Sequence, residues 1–356
     1  MPGLAEIPWL AGARGCHPTQ VVTAQRWRLD RVLPDVRSVT GADDNAVLLP
    51  SNSNDTWRLG QHVLRVGWRG DVARLQREAD LAALLPPDVR YPPLVESGRT
   101  GDLAWILTRW VEGTPLDGLW PRMDLKQRRR AAGQLADALH ALHTWSPPPH
   151  AARALGSLSP SDRADAAALI GRTLNPLPLA NAIALAEHTR ALPWVDQGVA
   201  DQAVDRLRDL AGHDPFADPA GHVVAHGDAH LANLLWHDGD LAALLDLEWA
   251  RLGPPDLELE PFLRSVDWSG QDPESMPAAE VRSLFTWLST DYPGLFAAPV
   301  LLERLWLYQI AYTLREIWTW PAAERAEDLC PDHPLSLLAI FVRGAGHLEQ
   351  LLGGVR

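Results

Sequence analysis

Short apolar runs separated by polar turns mark the first third of the chain, and such runs predict β-strands. The predicted strands cover residues 36–39, 46–49, 56–59, 63–66, 94–96 and 103–108. Apolar residues at helical spacing predict two helices, over residues 17–35 and 71–85. The second helix is expected to begin with Asp71 as its N-cap and to end before Pro86. This part of the chain is therefore predicted to form a small, mixed β-sheet lobe.

The rest of the chain shows helical periodicity almost throughout. A linker at residues 110–116 precedes a long predicted helix over residues 124–145. Three helical segments follow within residues 159–212, with breaks at Pro176 and Pro193. Further helical patterns cover residues 278–290, 299–319 and 334–352. The two parts together predict an α+β chain with a small sheet-based lobe and a larger, mostly helical one.

Composition limits the class of protein. At 356 residues, 46% of them hydrophobic, the chain exceeds one ordinary core, so two domains are expected. No apolar run is long enough to predict a membrane span, and residues 1–15 lack the pattern of a secretory signal. The two cysteines, Cys16 and Cys330, form no ligand pattern. We therefore expect a protein of the reducing cytoplasm.

Charge restricts the partners. The net charge of −13 argues against nucleic acid and anionic membranes as partners, and it is compatible with cationic small molecules. Lys126 is the only lysine, and the other basic residues are all arginine. Any lasting positive side-chain charge elsewhere in the chain must therefore belong to an arginine.

The most informative segment begins at His226-Gly227-Asp228. Asn233 follows Asp228 by five residues, and Asp246 follows Asn233 by thirteen. Phosphoryl transfer needs one carboxylate that orients and deprotonates an attacking hydroxyl, and an amide oxygen with a second carboxylate that hold Mg²⁺. Apolar runs on both sides predict strand, loop, strand, turn and strand, an order that brings the three side chains together. The alternative is an Asx-rich hairpin without chemistry.

This spacing equals that of the protein-kinase catalytic loop, and Gly227 stands where protein kinases carry arginine. In these residues the chain resembles the aminoglycoside phosphotransferase family. The resemblance implies a bilobal, protein-kinase-like fold with a nucleotide-binding N-lobe over residues 1–109, a hinge at 110–116 and a helical C-lobe over 117–356. It implies that a helical insertion at about 150–215 shapes the substrate pocket; a stabilising helical layer is the alternative.

The resemblance also locates the nucleotide side. Ser51, Ser53 and Asn54 lie between two predicted strands, where this fold has its nucleotide loop, although these residue types also favour plain turns. Alternation places Arg65 on the face opposite Leu64, where it is expected to contact phosphate with Glu78 as its partner.

Adenine is expected to meet the peptide groups of Arg109 and Val111 at the hinge. Because backbone contacts leave no side-chain signature, ATP and GTP both remain possible donors.

On the acceptor side, Asp228 is the predicted base. His226 is expected to support the loop, and His230 either orients Asp228 or holds the loop. Glu248 either assists a second Mg²⁺ or, as the favoured interpretation, pairs with an arginine such as Arg251. Asp256 is predicted to cap a helix. Four further residues are candidates for the acceptor pocket, with a solvated helix face or core packing as the alternative: Glu258, Glu260, Asp267 and Trp268.

We therefore predict a kinase that moves the γ-phosphate of ATP or GTP, with Mg²⁺, to a hydroxyl of a small molecule. An antibiotic of aminoglycoside, macrolide or sugar/nucleoside type is the preferred acceptor, with resistance as the effect. A metabolic kinase of choline, homoserine or sugar type is the first alternative. The second is a nucleotide-binding pseudokinase, which predicts the loss of the base, the asparagine or the metal aspartate; all three are present.

Overall fold

The computed structural model describes residues 18–40, 45–51, 54–68, 73–156, 166–170, 176–217, 220–266, 276–320, 333–343 and 347–353. The chain divides into two compact units. The first comprises the described residues of Met1–Leu85 and Tyr91–Glu112, and the second those of Pro86–Arg90 and Gly113–Arg356. Among the helices within the described ranges, none combines the length and apolar character that crossing a membrane requires.

The first unit is built on a five-stranded antiparallel sheet in the order β1-β2-β3-β5-β4. Its strands are β1 (Ala46–Leu49), β2 (Asp55–Leu59), β3 (His62–Gly67), β4 (Leu94–Thr100) and β5 (Leu103–Arg109), and its helices are α1 (Pro18–Thr40) and α2 (Ala73–Ala82). Alternation along the strands decides which helix each face contacts. Leu64 and Val66 of β3 form one buried cluster with Leu29 of α1, whereas Ile106 of β5 forms another with Leu75 of α2.

The predicted strand at residues 36–39 is wrong, because α1 continues through these residues. Val36 is fully buried and extends the buried stripe of Leu29, Val32 and Leu33 by one more helical turn. The stripe packs on the sheet, so helical periodicity outweighs the local β-propensity of the segment. The predicted N-cap, Asp71, lies outside the described residues, and α2 begins at Ala73.

The second unit is mostly helical. Its helices are α3 (Leu116–Leu119), α4 (Leu125–Thr144), α5 (Pro149–Gly156), α6 (Ala166–Ile170), α7 (Leu179–Thr189), α8 (Gln197–Asp209), α9 (Glu260–Arg264), α10 (Ala278–Asp291), α11 (Leu301–Thr319), α12 (Pro334–Phe341) and α13 (His347–Leu352). Its strands are β6 (Thr114–Pro115), β7 (Val223–Ala225), β8 (Leu234–His237), β9 (Asp240–Leu244) and β10 (Arg251–Gly253). The predicted α+β fold, with an N-terminal sheet and a helical C-terminal part, is confirmed.

Two small sheets in this unit position the predicted catalytic residues. β6, β8 and β9 form one antiparallel sheet, and β7 pairs with β10 in the other. β8 and β9 are joined by a two-residue turn, in which Asp238 and Gly239 have φ of 49° and 86°. Turns of this handedness match the twist of the strands, so the hairpin closes tightly. The chain thereby returns to the end of β8 at which Asn233 lies.

Candidate active site

The loop between β7 and β8 carries Asp228 and bends at Gly227. Gly227 has φ +76°, and a Cβ atom on it would lie 2.8 Å from the carbonyl oxygen of Trp249. Both the left-handed backbone and the close approach require the absence of a side chain. The path of the loop therefore requires glycine at position 227, where protein kinases carry arginine.

Glu258 anchors the same loop. Its carboxylate accepts hydrogen bonds from the backbone N–H groups of His226 and Gly227, the latter at 3.2 Å, and its Oε1 lies 3.2 Å from Nε2 of His143. His143 Nδ1 lies 2.9 Å from the hydroxyl of Tyr292. Glu258 has no exposed surface. The prediction that it lines an acceptor pocket is therefore wrong, because its oxygens bind the loop backbone.

His226 joins the loop to the end of β9. Its Nδ1 accepts a hydrogen bond from the backbone N–H of Asp228 at 3.2 Å, so Nε2 carries the proton and donates to the carbonyl of Leu245 at 2.8 Å. Complete burial lowers the pKa of the imidazole, which favours the neutral form that these two bonds require. These contacts support the expected structural role of His226.

Both carboxylate oxygens of Asp228 have neighbours in the second unit. Oδ1 accepts a hydrogen bond from Nη2 of Arg264 at 2.6 Å. Oδ2 lies 3.4 Å from Nδ2 of Asn233 and 3.5 Å from Nε2 of His230. Burial acts to raise the pKa of the Asp228 carboxyl, but Arg264 and His230 outweigh it and hold that pKa well below its usual value. Asp228 is thus an ionised carboxylate at neutral pH.

Asn233 is fixed by the backbone of the same loop. Its Nδ2 donates to the carbonyl of Asp228 at 2.8 Å, which leaves the amide oxygen as the atom suited to a metal ion. Its own carbonyl accepts from the backbone N–H of Leu245 at 2.8 Å, and Leu234 pairs with Leu244 across the hairpin. The hairpin register therefore brings Asn233 beside the segment that leads into Asp246.

Asp246 has the left-handed backbone that side chains rarely adopt, with φ of 66°. Such strain is tolerated where the surroundings enforce it, and it is frequent at functional sites. One carboxylate oxygen of Asp246 and one of Glu248 lie within 4.8 Å of each other. Carboxylate and amide oxygens are the donors that Mg²⁺ prefers, so Asp246, Glu248 and Asn233 provide a suitable donor set.

The favoured pairing of Glu248 with Arg251 is not formed. The guanidinium of Arg251 donates to the carbonyl of Pro176 at 2.9 Å and packs over the ring of Phe216. Arg251 lies on β10, whose pairing with β7 directs it to these partners. Glu248 is therefore not held by this arginine.

Arg264 is a site residue that the sequence interpretation missed. Besides Asp228 it contacts Glu260, to whose Oε2 its Nε donates at 3.0 Å, and its guanidinium lies 4.5 Å from the ring centre of Tyr312. Glu260 is 1% exposed, so it offers no surface to an acceptor, and burial raises its pKa to about 7 despite the nearby Arg264. The four-residue spacing of Glu260 and Arg264 on one helix is the signal that predicts this pair.

Three other residues have predicted roles on the acceptor side: Asp256, Asp267 and Trp268. Asp256 does not cap a helix: it is buried within the 3-10 helix Pro255–Leu259, lies 2.9 Å from Arg304 and accepts a hydrogen bond from Tyr308 at 2.9 Å. Its carboxylate is directed into the core because Arg304 and Tyr308 of α11 are there to bind it. Asp267 and Trp268 lie outside the described residues.

In the first unit, the structure forms the predicted pair of Arg65 and Glu78. Nη1 of Arg65 lies 2.7 Å from both carboxylate oxygens of Glu78, and the hydroxyl of Tyr91 donates to Glu78 Oε1 at 2.8 Å. Glu78 is fully buried, and the side chain of Arg65 is 14% exposed. A buried carboxylate with two donors fixes the arginine while part of its side chain stays accessible.

The loop before β2 is described in part, and the predicted hinge at residues 110–116 is described in full. The Ser51 hydroxyl donates to the carbonyl of Asn54 at 2.5 Å. Ser53 lies outside the described residues. At the hinge, the N–H of Arg109 donates to Pro93 at 2.9 Å, so Arg109 can offer adenine only its carbonyl. Within the described part of the chain, the peptide groups of Val111 have no backbone partner.

One family model and several solved structures match this chain. Residues 46–295 match the family described as the phosphotransferase enzyme family. The fold is similar to that of APH(2'')-IIa in a ternary complex with streptomycin and ATP, at 16% identity over 87% of this chain and 97% of that one, with a TM-score of 0.58.

Two further solved structures are similar. One is a thermostable mutant of the aminoglycoside phosphotransferase APH(4)-Ia, at 16% identity over 87% of this chain and 98% of that one, with a TM-score of 0.57. The other is APH(3'')-Id from Streptomyces rimosus with ADP and streptomycin, at 20% identity over 82% and 99% of the two chains, with a TM-score of 0.52. At these identities the likeness shows the fold. No curated protein matches the sequence.

The first prediction concerns Gly227. Gly227→Ala adds left-handed strain and drives a Cβ against the Trp249 carbonyl, whereas Gly221→Ala, at φ +81° with nothing within 4 Å, adds strain alone. Left-handed strain costs about 1–2 kcal/mol. We expect Gly227→Ala to lower the free energy of unfolding by at least about 1 kcal/mol more than Gly221→Ala. Urea unfolding of both variants measures this, and equal losses would contradict it.

The second prediction concerns Glu260, whose pKa rises from its ordinary value of 4.5 to about 7 in the folded protein. A raised pKa contributes stability below the unfolded value, and this contribution is lost as the pH rises through about 7. Glu260→Gln does not titrate. Its free energy of unfolding, relative to wild type, should therefore increase by on the order of 1–3 kcal/mol between about pH 5 and pH 8. A difference that stays constant across urea titrations at these pH values would disprove the prediction.

Proposed function

Because the chain belongs to the phosphotransferase enzyme family, we propose that it moves the γ-phosphate of ATP or GTP to a hydroxyl group of a small molecule. The matched residues, 46–295, include Arg65, Glu78 and the whole segment from Asp228 to Asp246. Two of the similar solved structures support a nucleoside triphosphate as donor, because they hold ATP or ADP together with streptomycin. Phosphotransfer is the activity of the family; the donor, the acceptor and the residue roles are our proposals.

One observation carries the proposal: Asp228, Asn233 and the segment entering Asp246 are joined by direct hydrogen bonds within a single loop and hairpin. In the proposed reaction the acceptor oxygen bonds to the γ-phosphorus, and the bond from that phosphorus to the β–γ bridging oxygen breaks. The nucleoside diphosphate leaves with that electron pair, and the hydroxyl proton passes to Asp228 late in the transfer and from there to solvent. Asp228 orients the hydroxyl through a hydrogen bond and stabilises the developing positive charge on it.

The remaining roles follow from the chemistry of each group. Asp246, Asn233 and Glu248 would hold Mg²⁺, which neutralises phosphate charge when bound. Arg65, backed by the buried Glu78, would contact the α- and β-phosphates, since Lys126 is the only lysine in the chain. The adenine edge would meet the carbonyl of Arg109 and the peptide groups of Val111.

An antibiotic is the preferred acceptor, and resistance by modification is the proposed effect. The similar solved structures include an APH(4)-Ia mutant bound to hygromycin B, besides the complexes with streptomycin. Because Glu258 and Glu260 are buried and occupied, they give no reason to restrict the acceptor to a polycation. Aminoglycoside, macrolide and sugar or nucleoside types therefore all belong in the test.

A coupled nucleotide-consumption screen tests the function. Purified protein with Mg²⁺ and either ATP or GTP is offered a panel of antibiotics, together with choline, homoserine and simple sugars. We expect acceptor-dependent consumption with an antibiotic and phosphorylated product by mass spectrometry. Consumption only with choline, homoserine or a sugar would favour a metabolic kinase, and nucleotide binding without turnover would favour a pseudokinase.

The third prediction is that Asp228→Asn loses most turnover and keeps nucleotide affinity. Groups that orient or deprotonate a nucleophile contribute about 10²–10⁴-fold to the rate. Asp238→Asn is the matched control: Asp238 is 89% exposed in the hairpin turn, and asparagine tolerates its positive φ. Steady-state rates and nucleotide titration of both variants test this. If Asp228→Asn keeps more than about a tenth of wild-type turnover, the role of Asp228 is wrong.

The fourth prediction concerns Arg65. Arg65→Ala should raise the nucleotide KM and lower kcat, because misplaced phosphates spoil the in-line geometry of attack. Arg65→Lys should restore activity in part, since a point charge cannot make the forked contact. Glu78→Ala should be milder, and the double variant less than additive, because both changes disturb one pair.

Arg58→Ala is the control for this series. Arg58 lies on neighbouring β2, packs over the ring of Trp110 and donates to the carbonyl of Gly60. The Arg58→Ala substitution should leave the nucleotide KM unchanged. If Arg58→Ala raises KM and Arg65→Ala does not, the phosphate contact belongs to Arg58.

A further inference from the structure

We propose that Arg264 is a positioning residue that fixes the carboxylate of Asp228, so that Oδ2 is the oxygen that meets the acceptor hydroxyl. This role rests on the proposed phosphotransfer, and it concerns a residue that does not itself contact nucleotide or acceptor in our proposal.

The two oxygens of Asp228 are bound unequally. Oδ1 accepts a charge-assisted hydrogen bond of 2.6 Å from Arg264, whereas the nearest donors to Oδ2, on Asn233 and His230, are 3.4 and 3.5 Å away. Hydrogen bonds at 2.6 Å between charged groups are strong, and contacts near 3.5 Å are weak. Oδ1 thus has a strong donor already, whereas Oδ2 has only weak ones and is the oxygen with more capacity for a further donor.

Asp228 needs such a partner because its own torsions do not fix the carboxylate. The last torsion of an aspartate is broad, so without an external contact either oxygen can point toward an acceptor. In-line attack requires the nucleophile within a narrow range of position and angle. A guanidinium that holds one oxygen converts this loose torsion into a defined one.

Arg264 can fix Asp228 only because it is itself fixed. Its Nε donates to Glu260 at 3.0 Å while its Nη2 donates to Asp228, so two donors of one rigid plane are used at once. The ring of Tyr312 supports the face of that plane at 4.5 Å. A lysine ammonium is a point charge and cannot span both carboxylates in this fixed geometry.

The test uses wild type, Arg264→Ala and Arg264→Lys, with the acceptor and nucleotide that give the highest turnover in the screen. Arg264→Ala should lower kcat by about 10²-fold and leave the nucleotide KM within about twofold, because orientation is lost and nucleotide contacts are not. Arg264→Lys should fall between the two. Guanidinium chloride at millimolar concentration should restore part of the kcat of Arg264→Ala, because the free guanidinium ion can occupy the space left by the Arg264 side chain and bind Asp228.

Arg128→Ala is the matched control. Arg128 is also in the second unit, has a side chain 20% exposed against 21% for Arg264, and forms a salt bridge with Glu280 at 3.1 Å. Its kcat should match wild type and should not respond to guanidinium. A residue that merely stabilises the fold would show lost protein or a lower unfolding midpoint, without rescue of kcat by the ion.

The other possible outcomes also test the positioning role of Arg264. If Arg264→Ala keeps more than about a third of wild-type kcat, or if guanidinium and lysine restore nothing, Arg264 has no positioning role. Should Arg264→Ala fail to fold, Arg264→Lys decides, and a wild-type kcat in that variant overturns the proposal. If wild type itself turns over no acceptor, the proposed function fails first, which is distinct from an active wild type with an unaffected Arg264 variant.

Discussion

One buried carboxylate, that of Glu258, holds the backbone on which the candidate site is built. The segment His226-Gly227 leaves β7 with peptide N–H groups that point into the interior, where an unpaired donor costs about 1–3 kcal/mol. Glu258 accepts both, and His143 and Tyr292 continue the network. With the backbone held there, the loop passes so close to Trp249 that a Cβ atom on Gly227 would lie 2.8 Å from the Trp249 carbonyl oxygen. The position of Asp228 follows from that turn.

From this anchor the site extends by short steps through hydrogen bonds. His226 binds the N–H of Asp228 and the carbonyl of Leu245 through its two ring nitrogens, and Asn233 binds the carbonyl of Asp228. Every step uses the backbone, so the geometry depends little on rotamers of exposed side chains. A proton on Nδ1 of His226 would remove one of these bonds, and the lowered pKa of this buried imidazole prevents that near neutral pH.

The α+β fold could be predicted from local patterns, namely alternation in β3 and helical periodicity in α4 and α11. The approach of Asn233 to Asp228 and to the segment before Asp246 could be predicted from the turn of the β8–β9 hairpin. Predictions failed where tertiary contacts decide. Residues 36–39 have strand-like side chains, yet Val36 completes a helical stripe that packs on the sheet. Glu258 and Asp256 look like exposed acids on a helix, but their partners are distant in sequence: His143, Tyr308 and Arg304.

The two arginines that we propose to act in phosphotransfer are held by the same kind of support. Arg65 is bound by the buried Glu78, which a hydroxyl of Tyr91 also contacts, and Arg264 is bound by the buried Glu260 beside the ring of Tyr312. A chain with a single lysine must use guanidinium groups wherever a lasting positive charge is needed.

A guanidinium is planar and offers several donors, so one donor can bind a structural carboxylate while another serves a second partner. For Arg264 that second partner is Asp228, and the charge of Arg264, together with the contact from His230, keeps the carboxylate ionised despite burial. A carboxylate of such low basicity is a weak proton acceptor in the ground state. In the proposed reaction Asp228 would therefore act first by orienting the hydroxyl and stabilising the charge that develops on it, as a loose phosphoryl-transfer transition state requires.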